Sequence, residues 1–232
     1  MKTLIIVPCY NEQETILDLY REIVAKAPSC DILVVNDCST DESLYILEEH
    51  GIPHLNLLMN LGIGGAMQAG YRYAYKHNYD IAVQVDGDGQ HDPGWITELI
   101  APVLLGKADI VIGSRFIDKR GFLSSTMRRA GIKFFKLLLF CISGKTITDA
   151  TSGFRAANQD AIRLFCENYA KDFPEPESIM LALRNRLQIT EIPVVMRERK
   201  GGVSSIRSAK SIYYMFKVSL GILLCAIQPR TI

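Results

Sequence analysis

The sequence lacks the features that define several large classes of protein. Its formal net charge is only +1 over 232 residues, so no charge excess points to a nucleic-acid partner or a disordered tail. Six cysteines are present, but none forms a CxxC pair or a cluster with metal-ligand spacing. Free thiols in a reducing, cytoplasmic compartment are therefore expected.

The two common glycine-rich nucleotide motifs are also missing. The first apolar run continues into Pro8-Cys9-Tyr10 instead of a glycine loop, and no GxxxxGK[ST] segment occurs. The segment 62–67 reads GIGGAM, so Met67 stands where a GxGxxG motif has its last glycine. These absences exclude a dinucleotide-binding fingerprint and a P-loop.

What the sequence does contain is an alternation of short apolar runs with helical periods. Four runs are typical of buried parallel strands: 4–8, 31–37, 80–88 and 108–114. The segments between them carry helical spacing: 12–26, 41–50, 63–78 and 94–105. Asn11 and Thr40 are expected as N-caps, and Pro93 as a helix start. This repetition predicts an α/β fold with a doubly wound, mostly parallel sheet.

The second half of the chain has a different pattern. It predicts four helices and one strand: helices at 131–143, about 158–168, 174–187 and 211–227, and a strand at 189–196. We expect one catalytic domain over 1–208, divided near residue 115 into halves 1–115 and 116–208, followed by a C-terminal apolar helix in 209–232.

Carboxylates follow the apolar run at 80–88. In an extended segment, residues i and i+2 project on one face about 7 Å apart, so Asp86 and Asp88 can converge on one cation. A calcium loop starting at Asp86 is excluded because His91 and Thr97 occupy its glycine and glutamate positions. A cation held by two carboxylates needs further oxygens, for which substrate phosphates are the usual source. The sequence therefore predicts a metal–diphosphate site.

Two further residues, Asp37 and His91, each have two possible roles. Asp37, at the end of the second run, either binds a base or ribose or serves as a turn or N-cap residue. His91 is either a base or, as we favour, a residue that caps the turn beside Asp86 and Asp88.

Seven motifs together resemble family 2 glycosyltransferases of the GT-A fold, and among them the dolichyl- and polyprenyl-phosphate sugar synthases. They are PCYNE, VVNDCSTDES, NLGIGGAMQAGYRYA, VQVDGDGQHDP, IGSRF, TSGFRA and EIPVVMRERKGGVSS, and the match runs from residue 4 to about 205. The resemblance implies a mixed doubly wound sheet and a metal-dependent, inverting transfer of a sugar. The donor would be a UDP- or GDP-sugar, the acceptor polyprenyl (undecaprenyl) phosphate, and the pathway cell-envelope polysaccharide synthesis. The cofactor would be Mg²⁺ or Mn²⁺.

The same resemblance implies roles for individual residues. Asp86, Asp88 and Gln90 would hold the metal, with the half 1–115 binding the nucleotide sugar. The nucleotide-binding set is Pro8, Tyr10, Asn11, Glu12, Asp37, Gly62, Gly65 and Asp86. The catalytic set is Asp88, Gln90, Glu177 and Arg115. The diphosphate- and acceptor-binding set is Arg128, Arg129, Arg199 and Ser204. Relatives often follow that serine with a lysine, whereas this chain has Ser205, so clamping would depend on Arg197, Arg199 and Lys200.

The acceptor is left open between two chemistries. A lipid phosphate needs no general base, whereas a sugar hydroxyl would need one, with Glu177 or Asp172 as candidates. A catalytically silent, nucleotide-sugar-binding subunit is the alternative from another class.

The closing apolar segment predicts contact with a membrane or a protein. As a helix, 211–227 would extend about 25 Å, short of the roughly 30 Å hydrocarbon core, and Lys217 interrupts it. It is expected to lie on lipid or against a partner, whether a second copy or a small membrane protein; a buried helix is the alternative. We expect the protein on the inner face of the cell membrane, as a peripheral protein.

Overall fold

The computed structural model describes residues 1–118, 126–171, 174–198 and 211–228. Within them, seven strands form one sheet: β1 Thr3–Cys9, β2 Asp31–Asn36, β3 His54–Asn56, β4 Ile81–Gln84, β5 Ile110–Ser114, β6 Arg155–Asn158 and β7 Ile189–Pro193. The helices are α1 Ile16–Lys26, α2 Ser43–Glu49, α3 Gly62–Lys76, α4 Ile96–Leu104, α5 Thr126–Ser143, α6 Gln159–Glu167, α7 Pro174–Arg184 and α8 Ser211–Ile227. A short 3₁₀ helix, Pro93–Trp95, precedes α4.

The strand order is β3-β2-β1-β4-β6-β5-β7. Strand β6 runs antiparallel to both of its neighbours, and all other pairs are parallel. The mixed, doubly wound α/β sheet is thus confirmed. Strand β6 lies outside the predicted strands because its sequence, RAAN, carries no apolar run.

The sheet is covered on both faces. All seven residues of β1 are buried. Its Leu4 and Ile6 pack in one apolar cluster, and Ile5 and Val7 in the other, as the period of two in a strand requires. The first cluster takes residues from α3, α5, α6, α7 and α8, and the second from α1, α2 and α4. Five helices therefore lie on one face and three on the other among the described residues.

Two local predictions need correction. Asn11 and Thr40 are not N-caps: α1 and α2 begin after Thr15 and Glu42, without a side-chain cap bond. Asn11 instead adopts a left-handed φ of 56°. Its Oδ1 accepts a hydrogen bond from the Thr40 backbone N–H at 2.8 Å, so a bond between two loops replaces two helix caps. Pro93 does start a helix, as predicted.

Candidate active site

The loops that follow β1 and β2 are bonded to each other. The Asn11 N–H donates to Ser39 Oγ at 3.0 Å, and the Glu12 N–H donates to Ser43 Oγ at 2.9 Å. The Asp37 N–H donates to the Cys9 carbonyl at 2.8 Å. These bonds hold the expected nucleotide-binding residues of the two loops together at the carboxyl edge of the sheet. Tyr10, in the first of these loops, is exposed.

Asp37 is buried and secures the start of α3. Its Oδ1 accepts from the Leu61 N–H at 2.7 Å. Burial raises the pKa of Asp37, and the Leu61 and Gly62 N–H groups oppose that rise by bonding to the carboxylate. Asp37 therefore has the structural role of a turn residue, and its contact with a ribose remains a prediction.

The glycines of the GIGG segment form the first turn of α3, and two of them are required by packing. A Cβ on Gly64 would lie 2.0 Å from the Ala170 carbonyl oxygen, and one on Gly65 would lie 2.3 Å from Leu61 Cβ. Gly62 has a φ of +74°. These contacts explain the glycines without a ligand, so binding of a nucleotide by Gly62 and Gly65 remains a prediction.

The acidic motif lies in a turn after β4, not in the extended segment expected at 80–88. Strand β4 ends at Gln84, and a side-chain N–H of Gln84 donates to Asp86 Oδ1 at 2.9 Å. The Asp86 N–H donates to His91 Nδ1 at 3.0 Å, and His91 Nε2 lies 3.6 Å from Asp86 Oδ2.

His91 has a structural role in this turn. It is buried, and its ring stacks on Phe154 with centroids 5.0 Å apart. Because Nδ1 accepts a hydrogen bond, the proton of the neutral ring lies on Nε2, which faces Asp86. His91 therefore caps the turn, as we favoured from the sequence.

The turn is closely fitted to its surroundings. Asp88 Oδ1 accepts from the Gln90 N–H at 3.0 Å, and Gly89 has a φ of +73°. A Cβ on Gly87 would lie 2.8 Å from the Pro8 carbonyl oxygen. The Gly87 carbonyl accepts from Thr15 Oγ1 at 2.8 Å. The turn is thereby attached to the first strand and to the start of α1.

Gly153, for which the sequence predicted no role, packs against the side chains of Gln84 and Asp86. A Cβ at Gly153 would lie 2.7 Å from Gln84 Nε2 and 3.0 Å from Asp86 Oδ2. Arg155, two residues on, is buried and donates to the Ser152 carbonyl and to Ser178 Oγ, both at 2.7 Å. The TSGFRA motif was the available signal, but its sequence alone does not reveal what the glycine faces.

The residues of the turn fit a hard divalent cation. Asp86, Asp88 and Gln90 supply carboxylate and amide oxygens, the ligand type that Mg²⁺ and Mn²⁺ prefer. The Gln90 Nε2 donates to the Arg197 carbonyl at 3.4 Å, which leaves the amide oxygen as the candidate ligand. Among the described residues, no group of three or more His, Cys, Asp or Glu forms a metal site, so donor phosphates would have to complete the coordination.

Arg115 is bonded to the protein. Its Nε and Nη2 donate to the two oxygens of Asp149, each at 2.7 Å, and Nη2 also donates to Thr151 Oγ1 at 3.0 Å. Asp149 is fully buried, and its N–H donates to Glu191 Oε1 at 2.9 Å. Arg115 therefore anchors the 149–151 segment, and its contact with a donor phosphate remains a prediction.

Glu177 lies in the first turn of α7, half-buried against α8. A Cβ on Gly221 would lie 2.5 Å from the Glu177 carboxyl carbon. The neighbouring Ser178 receives the bond from Arg155, which connects this end of α7 to the strand beside Asp86. A catalytic role for Glu177 remains a prediction.

Several predicted residues lie outside the part that the structure describes. They are Asp172, Arg199, Lys200, Ser204 and Ser205, together with the side chains of Arg128 and Arg129. Nothing in the structure tests their expected roles.

Arg197 is paired with two carboxylates of the protein. Its Nη1 and Nη2 bond the two carboxylate oxygens of Glu22 at 2.7 Å each, and Nη2 lies 2.8 Å from Asp92 Oδ1. The hydrogen bonds that Arg197 donates to the Glu22 carboxylate raise the pKa of Arg197. Its backbone N–H donates to the Gln90 carbonyl at 2.9 Å. Arg197 thus attaches the acidic turn to α1, and its contact with a diphosphate remains a prediction.

This sheet, with an acidic turn at the carboxyl end of its central strand, is that of a GT-A glycosyltransferase. More narrowly, the chain belongs to glycosyl transferase family 2, whose model matches residues 4–165. The family, the fold and the enzyme class predicted from the motifs are thereby confirmed.

Individual relatives agree with this assignment. The chain is 30% identical to the undecaprenyl-phosphate mannosyltransferase of Micrococcus luteus over 220 residues, covering 89% of this chain and 88% of that protein. It is 28% identical to the UDP-N-acetylglucosamine–dolichyl-phosphate N-acetylglucosaminyltransferase of Methanococcus voltae over 210 residues, covering 82% and 83%.

A solved structure has the same fold. It is glucosyl-3-phosphoglycerate synthase from Mycobacterium tuberculosis in complex with Mn²⁺, UDP-glucose and phosphoglyceric acid. The TM-score is 0.76 at 16% identity, covering 99% of this chain and 81% of that one.

Proposed function

We propose that this enzyme transfers a sugar from a UDP- or GDP-sugar to a polyprenyl phosphate, with inversion at the anomeric carbon. The relatives named for undecaprenyl and dolichyl phosphate support this acceptor. The observation that carries the proposal is the acidic turn, in which Gln84 and His91 hold Asp86 and the Gln90 N–H holds Asp88. The product would serve cell-envelope polysaccharide synthesis at the inner face of the membrane.

The residues of the turn would bind the donor through its diphosphate. Asp86, Asp88 and Gln90 would hold Mg²⁺ or Mn²⁺, and the similar structure with Mn²⁺ and UDP-glucose supports a divalent ion. The ion, when bound, supplies positive charge where the leaving diphosphate becomes more negative. Asp37 and the loop after β1 would hold the nucleoside. A phosphate acceptor is already anionic near pH 7, so the protein has to orient it and need not remove a proton.

The test is turnover of a panel of UDP- and GDP-sugars with undecaprenyl phosphate in detergent. Asp88→Ala is the test variant, and Asp18→Ala, at an exposed position on α1, is the matched control. We expect transfer to the lipid by the wild type and by Asp18→Ala, and its loss on chelation and in Asp88→Ala. Donor hydrolysis without a lipid product would indicate a sugar-hydroxyl acceptor. Donor binding without either reaction would indicate a silent subunit.

A further inference from the structure

The basic residues of the chain are concentrated in two segments. Segments 119–148 and 199–232 contain 13 of the 26 Lys and Arg residues and none of the 25 Asp and Glu residues. Their formal charge is therefore +13, and that of the rest of the chain is −12. The near-zero net charge conceals this division. Each segment also contains one apolar helix, α5 in the first and α8 in the second.

Helix α5 buries one side and exposes apolar side chains on the other. Phe135 and Leu139 lie in the core, whereas Phe134, Leu137 and Phe140 are exposed. Lys133 and Lys136 lie beside them, and both line a cavity of about 310 Å³. The other lining residues are Leu137, Phe140 and Thr146. Apolar side chains and two lysines thus line the same cavity.

Helix α8 repeats this arrangement. Val218 and Ile222 are buried in the same core cluster as Phe135. The opposite side of the helix carries five large apolar residues that are 46–80% exposed. They are Phe216, Leu220, Leu223, Leu224 and Ile227. Their spacing of four, three, one and three residues places them on one helical face. Exposed apolar patches of sufficient size mark contacts with proteins or membranes.

The two exposed faces lie on the same side of the sheet. Helices α5 and α8 contact each other and both contact α7. A Cβ on Gly131 of α5 would lie 4.0 Å from Met215 Sδ of α8. We call the exposed apolar residues of the two helices, with Lys133 and Lys136, the α5–α8 face. Among the residues described, none of the helices is long and apolar enough to cross a membrane.

We propose that the α5–α8 face lies on the surface of an anionic phospholipid bilayer. The apolar side chains would enter the boundary between headgroups and acyl chains, as those of interfacial helices do. The lysines of the cavity would bind phospholipid phosphates, which selects an anionic surface over a neutral one. This inference rests on the proposed function for its purpose, which is to bring the enzyme to a lipid-linked acceptor.

Vesicle flotation tests the electrostatic part. The full-length protein is floated with phosphatidylcholine vesicles, and with vesicles containing about one-third phosphatidylglycerol, without donor or polyprenyl phosphate. We expect binding to the anionic vesicles that weakens with salt. Each basic residue near an anionic surface contributes about fivefold to binding. The double variant Lys133→Gln/Lys136→Gln should therefore bind roughly thirtyfold more weakly. Lys107→Gln, at an exposed position before β5, is the matched control.

Tryptophan fluorescence tests the insertion of α5. The chain has a single tryptophan, Trp95, so Phe140→Trp in a Trp95→Phe background reports on the α5–α8 face alone. Lipids brominated on their acyl chains should quench this fluorescence. They should leave that of Leu105→Trp unchanged, because Leu105 is exposed at the end of α4 on the opposite face of the sheet.

Other outcomes would overturn the inference. Lys133→Gln/Lys136→Gln floating as well as the wild type would do so, as would an unquenched tryptophan at 140. A homodimer dissociated by Leu220→Gln/Leu223→Gln would show that a second copy covers the face. Failure to float with retained transfer in detergent would overturn the inference alone. Retained flotation without transfer would overturn the proposed function alone.

Discussion

A methyl group at Gly153 should impair the acidic turn more than it impairs folding. The new Cβ in Gly153→Ala would lie 2.7 Å from Gln84 Nε2 and 3.0 Å from Asp86 Oδ2, well inside van der Waals contact. Overpacking of this kind costs about 1–3 kcal/mol, which lowers the Tm of a chain this long by roughly 2–12 °C. Displacing a neighbour that orients a metal ligand typically weakens metal binding about 10–100-fold.

The assay is isothermal titration of Mn²⁺ and UDP into wild type and Gly153→Ala, with the Tm of each measured separately. Gly131→Ala is the control, since among the described residues its Cβ would approach Met215 Sδ alone, at 4.0 Å. We expect the weaker binding in Gly153→Ala alone. Unchanged Mn²⁺-dependent UDP binding in a folded Gly153→Ala protein would refute the argument that this glycine shapes the site of Asp86.

Three further predictions concern residues that the site brings together. Arg115→Met leaves Asp149 buried without its bidentate partner, so unfolding experiments should show a loss of about 3–5 kcal/mol; loss of transfer at unchanged stability would instead support contact between Arg115 and the donor phosphates. Arg197→Met and Glu22→Gln should each cost only about 1 kcal/mol, because the pair is partly exposed, yet each should raise the KM for the donor by weakening the hold on the acidic turn. In a double-mutant cycle, additive effects on KM would contradict that coupling. Burial raises the pKa of the Cys9 thiol from 9.0 to about 12. The contribution of this thiol to the free energy of unfolding should therefore be complete below pH 9 and be lost as the pH rises towards 12. Denaturant titrations across this range should show a smaller alkaline loss in Cys9→Ala, and an equal loss would argue against the shift.

Strands β1, β2, β4 and β5 were predictable because each is a continuous apolar run whose residues are almost all buried. Strand β6 was not, since its pairing with β4 and β5 comes from the sheet around it and not from its own four residues. The N-cap predictions at Asn11 and Thr40 failed for a related reason. A local rule favoured two separate caps, whereas the two residues bond each other across 29 positions.

The acidic turn shows the same limit within the site. The spacing of Asp86 and Asp88, together with the family resemblance for Gln90, indicated the candidate metal ligands, but not the residues that hold them. Arg197 pairs with Glu22 across 175 positions, a separation at which sequence spacing carries no information. The sequence therefore predicts which side chains bind, and the fold determines which of its basic residues are used within the protein.

The central position of β6 has a consequence for exchanging parts between relatives. The chain leaves the sheet after β5 and returns to place β6 between β4 and β5, and the residues just before β6 then form one wall of the pocket around Asp86. A chimera that joins residues 1–115 of one enzyme to the remainder of another would combine a strand and its two neighbours from different proteins. Recombination between relatives therefore has to preserve the pairing of β6 with β4 and β5, or it alters the surroundings of Asp86.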